Sequence, residues 1–144
     1  MVSATIPNGG RKKFASVQLN NELYGRKIEY MDGTPEKRAF CAAAALNQHV
    51  FVVVGDYTHD DDCTYRYGTK TKTWTRLPNL KKRREWPGCV CGDEKVYAIG
   101  GLNDDDQEDE DSIEMLDLSV PEPSWIILPT RMKQGRGGCA AARR

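Results

Sequence analysis

Cysteines, histidines and clustered acids are the residues of this 144-residue chain with the chemistry to hold a metal or to catalyse. Cys89 and Cys91 would place two thiols on one face of a strand, because strand side chains repeat every second residue. A zinc site needs four ligands and usually a wider spacing. Cys41, Cys89 and Cys139 instead recur in short apolar segments, where a small buried residue is expected. His49 stands in a turn and His59 among aspartates, and neither belongs to a Ser-His-Asp or Cys-His order. Asn8-Gly9-Gly10 reads as a turn, and no phosphate-binding glycine loop occurs. The acidic run from Asp104 to Asp111 lacks the spaced ligands and the glycine of a calcium loop. These residues predict no catalytic centre, no metal site and no cofactor.

Binding through charged loops is the chemistry that remains. Acid gathers at Asp60, Asp61 and Asp62, and again at Asp104, Asp105 and Asp106, with Glu108, Asp109, Glu110 and Asp111 behind them. Base gathers at Lys81, Lys82, Arg83 and Arg84, then at Arg131, Lys133 and Arg136. Such runs can be merely solvated; read as a site, Asp60–Asp62, Asp104–Asp106, Arg83, Arg84 and Arg136 are the candidate contacts with a protein partner. The 21 basic and 21 acidic residues cancel, so no net positive field draws nucleic acid. No stretch is apolar enough to span a bilayer, and Met1 to Lys13 lacks the apolar centre of a secretory signal. Five cysteines form no disulfide framework, which points to a cytoplasmic or nuclear protein.

The elements that must carry these loops come from an internal repeat. Arg38 to Asp56 aligns without a gap on Arg83 to Gly101, an offset of 45. Thr73-Trp74-Thr75-Arg76-Leu77-Pro78 answers Ser124-Trp125-Ile126-Ile127-Leu128-Pro129, an offset of 51. A shortened copy runs from Arg11 and lacks most of one strand and all of its last. A further copy starts at Arg136, with Cys139-Ala140-Ala141 over Cys41-Ala42-Ala43. The predicted organisation is an N-terminal tail (1–10), a truncated unit (11–37), two full units (38–82 and 83–135) and the start of another (136–144).

Each full unit holds four short strands; in 38–82 they are Phe40–Leu46, His49–Val54, Cys63–Tyr67 and Thr73–Arg76. Val50 to Val54 is apolar at every position, as a strand buried on both faces requires. Ala42 to Ala45 favours helix by propensity, but the segment is too short and the repeat frame makes it a strand. Gly, Asn, Asp and Pro punctuate the rest. The fold class is all-β.

A unit of about 50 residues with four strands is the size of a propeller blade. The pattern resembles the kelch repeat: Gly100-Gly101 after Val96-Tyr97, Trp74 and Trp125, and the Leu-Pro pair after each tryptophan. Gly55-Asp56 stands where the second full unit has two glycines. The resemblance implies an incomplete kelch-type β-propeller of two complete four-stranded blades, one degenerate and one started. Gly55, Gly100 and Gly101 would permit backbone conformations closed to other residues. Trp74 and Trp125 would bury area between blades, which makes about 3–5 kcal/mol the expected cost of Trp74→Ala. The loop between strands two and three and the loop to the next blade fall on one rim, so that rim carries both signs of charge.

Kelch propellers bind proteins with such loops, and the resemblance implies an interaction module: substrate recognition in a ubiquitin-ligase adaptor, or actin and scaffold binding. The alternative it offers is a piece of a propeller enzyme, like galactose oxidase or a sugar-acid epimerase. His49 and His59 do not occupy equivalent positions, which speaks against the copper chemistry. Two full blades leave open faces. A longer parent protein, an incomplete gene model or self-association would each account for them. The stop inside an inner strand points to the first two.

Overall fold

The computed structural model describes residues 2–5, 16–19, 29–30, 42–47, 50–54, 62–103, 106 and 108–137. These residues form thirteen strands and no helix. They are β1 (Val2–Thr5), β2 (Ser16–Leu19), β3 (Glu29–Tyr30), β4 (Ala42–Asn47), β5 (Val50–Val54), β6 (Thr64–Gly68) and β7 (Thr73–Leu77). There follow β8 (Gly88–Gly92), β9 (Lys95–Ile99), β10 (Leu102–Asn103), β11 (Glu108–Asp109), β12 (Ser112–Asp117) and β13 (Trp125–Arg131).

The two full units are two antiparallel four-stranded meanders, β4-β5-β6-β7 and β8-β9-β12-β13. This is the predicted pair of blades. The alanine run is a strand, since pairing with β5 outweighs alanine's weak preference for helix. Asp93 and Glu94 both take positive φ, 53° and 58°, in the two-residue turn from β8 to β9, as a tight hairpin between right-twisted strands requires. β2 lies beside β4 and β4 beside β8, so the first strands of successive units are neighbours.

The gapless alignment slips by one residue in the first strand. Ala44 pairs with Val52, whereas Val90, not Cys89, pairs with Tyr97. A register irregularity between Ala45 and Asn47 absorbs the difference.

The segment read as an N-terminal tail contributes β1. It lies between β2 and β3, antiparallel to the first and parallel to the second. β2 and β3 match the first and third strands of a blade, so β1 stands where the shortened unit lacks its second. No repeat announces Val2–Thr5, which is why sequence reasoning left it as a tail.

The core lies between the blades. Leu77 and Leu80 from the first meet Cys89, Cys91, Val96, Ala98, Leu116 and Trp125 from the second, with Ala42, Ala44 and Leu46 against them. Alternation sets this up: in β9, Val96 and Ala98 are fully buried while Lys95, Tyr97 and Ile99 are not. Trp125 is 0% exposed. Its indole N–H donates to the Pro78 carbonyl at 2.8 Å and approaches Thr64 Oγ1 at 3.4 Å. Trp125 is thus the inter-blade tryptophan that the repeat predicts. Trp74 departs from that expectation: it is half-buried, with its ring centroid 4.9 Å from that of Tyr67.

Candidate partner-binding rim

The charged loops meet at one end of the blades. Gly100 and Gly101 leave β9 with φ of 62° and 104°, values that only glycine takes without strain. A Cβ on Gly101 would stand 2.9 Å from the Glu85 carbonyl, so the loop before β8 presses directly on the glycine pair. Glu85 and Leu102 then exchange both backbone hydrogen bonds, at 2.9 and 2.8 Å. On the other side, Gly101 N donates to the Arg136 carbonyl at 2.8 Å, and Met132 N to that of Asp111 at 2.9 Å. The acidic loop is therefore held between the two basic loops.

Part of that acidic loop is itself ordered, as the hairpin β10–β11. The charge run gave no sign of it, because the two strands have only two residues each. Asp106 is exposed and accepts from the Glu108 amide at 3.1 Å and the Asn103 side chain at 3.3 Å. Asp104 and Asp105 lie outside the described residues, as do Asp60, Asp61, Gly55, His49, His59, Cys41 and Cys139. Asp62 is half-buried and accepts from Asn79 at 3.2 Å, while its carbonyl takes the Leu80 amide at 2.8 Å. This last bond repeats in the next blade as that from Met132 to Asp111.

Opposite charges from the two kinds of loop pair directly. Lys82 Nζ lies 2.8 Å from Glu110 Oε2, Arg131 pairs with Asp111, and the Gly137 amide donates to Asp109 at 2.9 Å. Burial pushes the Glu110 carboxyl upward, but hydrogen bonds from Lys82 and Ser112 more than reverse this and hold it at about 2, against an ordinary 4.5. A depressed folded-state value adds stability above the unfolded value and loses it as the proton returns. The stability difference between wild type and Glu110→Gln is therefore expected to be full above about pH 4.5 and to vanish towards pH 2. Its neutral-pH size is at most about 3 kcal/mol, and urea unfolding across that range measures it.

Arg84 is a correction. The basic run suggests four equivalent surface charges, but Arg84 is 0% exposed and offers nothing to a partner. Its Nε donates to Glu114 Oε1 at 3.1 Å, Nη1 to the carbonyls of Gly100 (2.7 Å) and Ser112 (3.0 Å), and Nη2 to Ser112 Oγ (2.7 Å). Glu114, also 0% exposed, takes the amides of Lys81 and Lys82 at 2.7 and 3.1 Å. Both charges are paired and hydrogen-bonded, as burial demands. Together they clamp the basic loop to β9 and β12.

Arg83, Lys81, Lys133 and Arg136 remain exposed on this rim. Trp86 joins them, and sequence reasoning missed it. It is 43% exposed with φ 48° at the rim end of β8. A bulky side chain in that backbone region is uncommon, and such strain gathers at functional sites. Tyr97 is half-buried on the open face of its blade.

Cys89 and Cys91 share the buried face, as expected. A hydrogen bond with Cys91, together with burial, holds the Cys89 thiol well above its usual range, so it stays a packing group and not a thiolate. Among the described residues, no three His, Cys, Asp or Glu side chains are placed to hold a metal, and no helix is long and apolar enough to cross a membrane.

Known proteins agree with this geometry. Residues 87–132, the second full blade, match the Kelch motif. The chain is 33% identical over 112 residues to kelch repeat and BTB domain-containing protein 1 of camelpox virus (strain CMS), covering 72% of this chain and 19% of that protein. It is 30% identical over 67 residues to Kelch-like protein 25 of Rattus norvegicus, covering 46% of this chain and 11% of the relative. It is 31% identical over 74 residues to the rat Kelch domain-containing protein 8B, covering 46% and 20%. The chain thus spans between about a tenth and a fifth of the length of these relatives. By motif over residues 87–132, by relatives over as much as 72% of its length and by its two four-stranded blades, this chain carries kelch-type repeats.

Proposed function

We propose that the rim built from residues 81–86, 102–103, 106, 108–111 and 131–137 binds a protein partner, and that the chain is an interaction module without catalytic activity of its own. The observation that carries this reading is the division of labour among the charges. Arg84, Glu114, Lys82 and Glu110 are spent on holding the loops, while the side chains of Arg83, Arg136, Asp106 and Trp86 are exposed on them. Exposed aromatic and arginine side chains on a fixed frame are the usual anchors of protein recognition, and charges of both signs select orientation. The finer role is substrate recognition in a ubiquitin-ligase adaptor, with a cytoskeletal scaffold as the second reading. The adaptor is supported by the camelpox virus relative, whose name joins kelch repeats to a BTB domain.

The test is affinity capture with Arg83→Glu and Trp86→Ala. Each is expected to lower capture of the wild-type partner by about tenfold or more, the size of a hot-spot loss, with the thermal melt of Arg83→Glu unchanged.

A further inference from the structure

The backbone of Arg136 is built into the base of the acidic hairpin. Opposed residues of an antiparallel pair that share one backbone bond normally exchange two. Between Gly101 and Glu110 only one is direct, from the Glu110 amide to the Gly101 carbonyl at 2.8 Å. The return runs through Arg136. Its carbonyl takes the Gly101 amide at 2.8 Å, and its own amide donates to the Glu110 carbonyl at 3.3 Å. The Gly137 amide adds a bond to Asp109 Oδ1 at 2.9 Å. The Arg136 main chain is thus fixed on both sides, while its side chain is exposed.

Gly135 makes this insertion possible. A Cβ there would overlap the Asp109 carbonyl oxygen and stand 2.7 Å from its carbon. Both are backbone atoms of β11, so no side-chain rotation relieves the clash. Among the described glycines only Gly100 and Gly101 take positive φ, so Gly135 is needed for space and not for its torsion. Gly137 differs: a Cβ there would meet Asp109 Oδ1 at 3.2 Å, a side-chain atom that can turn away.

We propose that Gly135 is a positioning residue of the partner-binding rim. It admits the Arg136 backbone into the hairpin and so fixes where that guanidinium meets the partner, a role that rests on the rim being the binding surface. Amide exchange and partner capture test it together. Gly135→Ala is expected to speed exchange of the Gly101 amide by about tenfold or more, while the Ala98 amide inside β9 stays protected. Gly137→Ala is expected to leave Gly101 protected. Capture of the partner bound by the wild-type chain should fall by about tenfold with Gly135→Ala. It should fall no further when Gly135→Ala is added to Arg136→Ala, because the glycine acts only through that arginine. Losses that simply add would overturn the proposal. So would a Gly101 amide still protected in Gly135→Ala, equal loss of protection in Gly137→Ala, or loss at Ala98 too, which marks a structural glycine. If Arg83→Glu lowers capture and Gly135→Ala does not, the positioning role fails alone. If neither lowers it, the rim fails as the binding surface as well.

Discussion

Trp125→Ala is expected to destabilise the chain by about 3–5 kcal/mol, the cost of emptying a large buried aromatic site. Trp125 is fully buried between the two blades, and its indole N–H crosses from one to the other to reach the Pro78 carbonyl at 2.8 Å. Removing the ring opens a cavity beside Leu77, Leu80 and Leu116. Phenylalanine should recover most of the loss. It keeps much of the apolar area, and the Pro78 carbonyl retains a donor in Thr64 Oγ1 at 2.7 Å, so the residual cost is about 1–2 kcal/mol. Urea unfolding measures both. A loss below about 1 kcal/mol for alanine would mean the blades do not pack through this residue. Trp74, only half-buried, should cost less than the value expected from the repeat alone.

The second large effect belongs to the buried ion pair. Arg84→Ala and Glu114→Ala should each cost about 3–5 kcal/mol, because each strands a charge with no water to receive it. Arg84 uses four hydrogen bonds to join β9, β12 and the loop before β8. Lysine cannot rebuild that fork, so Arg84→Lys should fall nearly as far. Removing both partners should cost clearly less than the two single losses added together, since neither charge is then left alone. Arg83→Ala, one residue away and exposed, should stay within about 0.5 kcal/mol. Equal losses at Arg83 and Arg84 would contradict the structure.

That contrast marks how far the sequence could be read. The strand frame was legible because its signals are local: a continuous apolar run in β5, turn residues between strands, and a glycine and a tryptophan recurring at blade spacing. The rim was legible as a place, since the order of loops in a meander puts both kinds at one end. Which arginine turns inward was not. Lys81 to Arg84 is a uniform run, and its one buried member is chosen by Glu114, thirty residues away on another strand. A hint existed in β12, where Ser112, Glu114 and Leu116 alternate onto the buried face. Glutamate at such a position requires a partner. Trp86 was hidden for a different reason: its exposure depends on a left-handed backbone that no residue type there announces. β1 was hidden because it has no repeat to align with.

The buried Arg84–Glu114 pair holds this rim, and the proposed function has its exposed Arg83 read a partner. Partner capture by Arg83→Glu, set beside its thermal melt, tests that claim most directly. The expected result is a melt like wild type and capture reduced by about tenfold or more. Capture undiminished in a fully folded variant would contradict it and move the binding surface away from this rim.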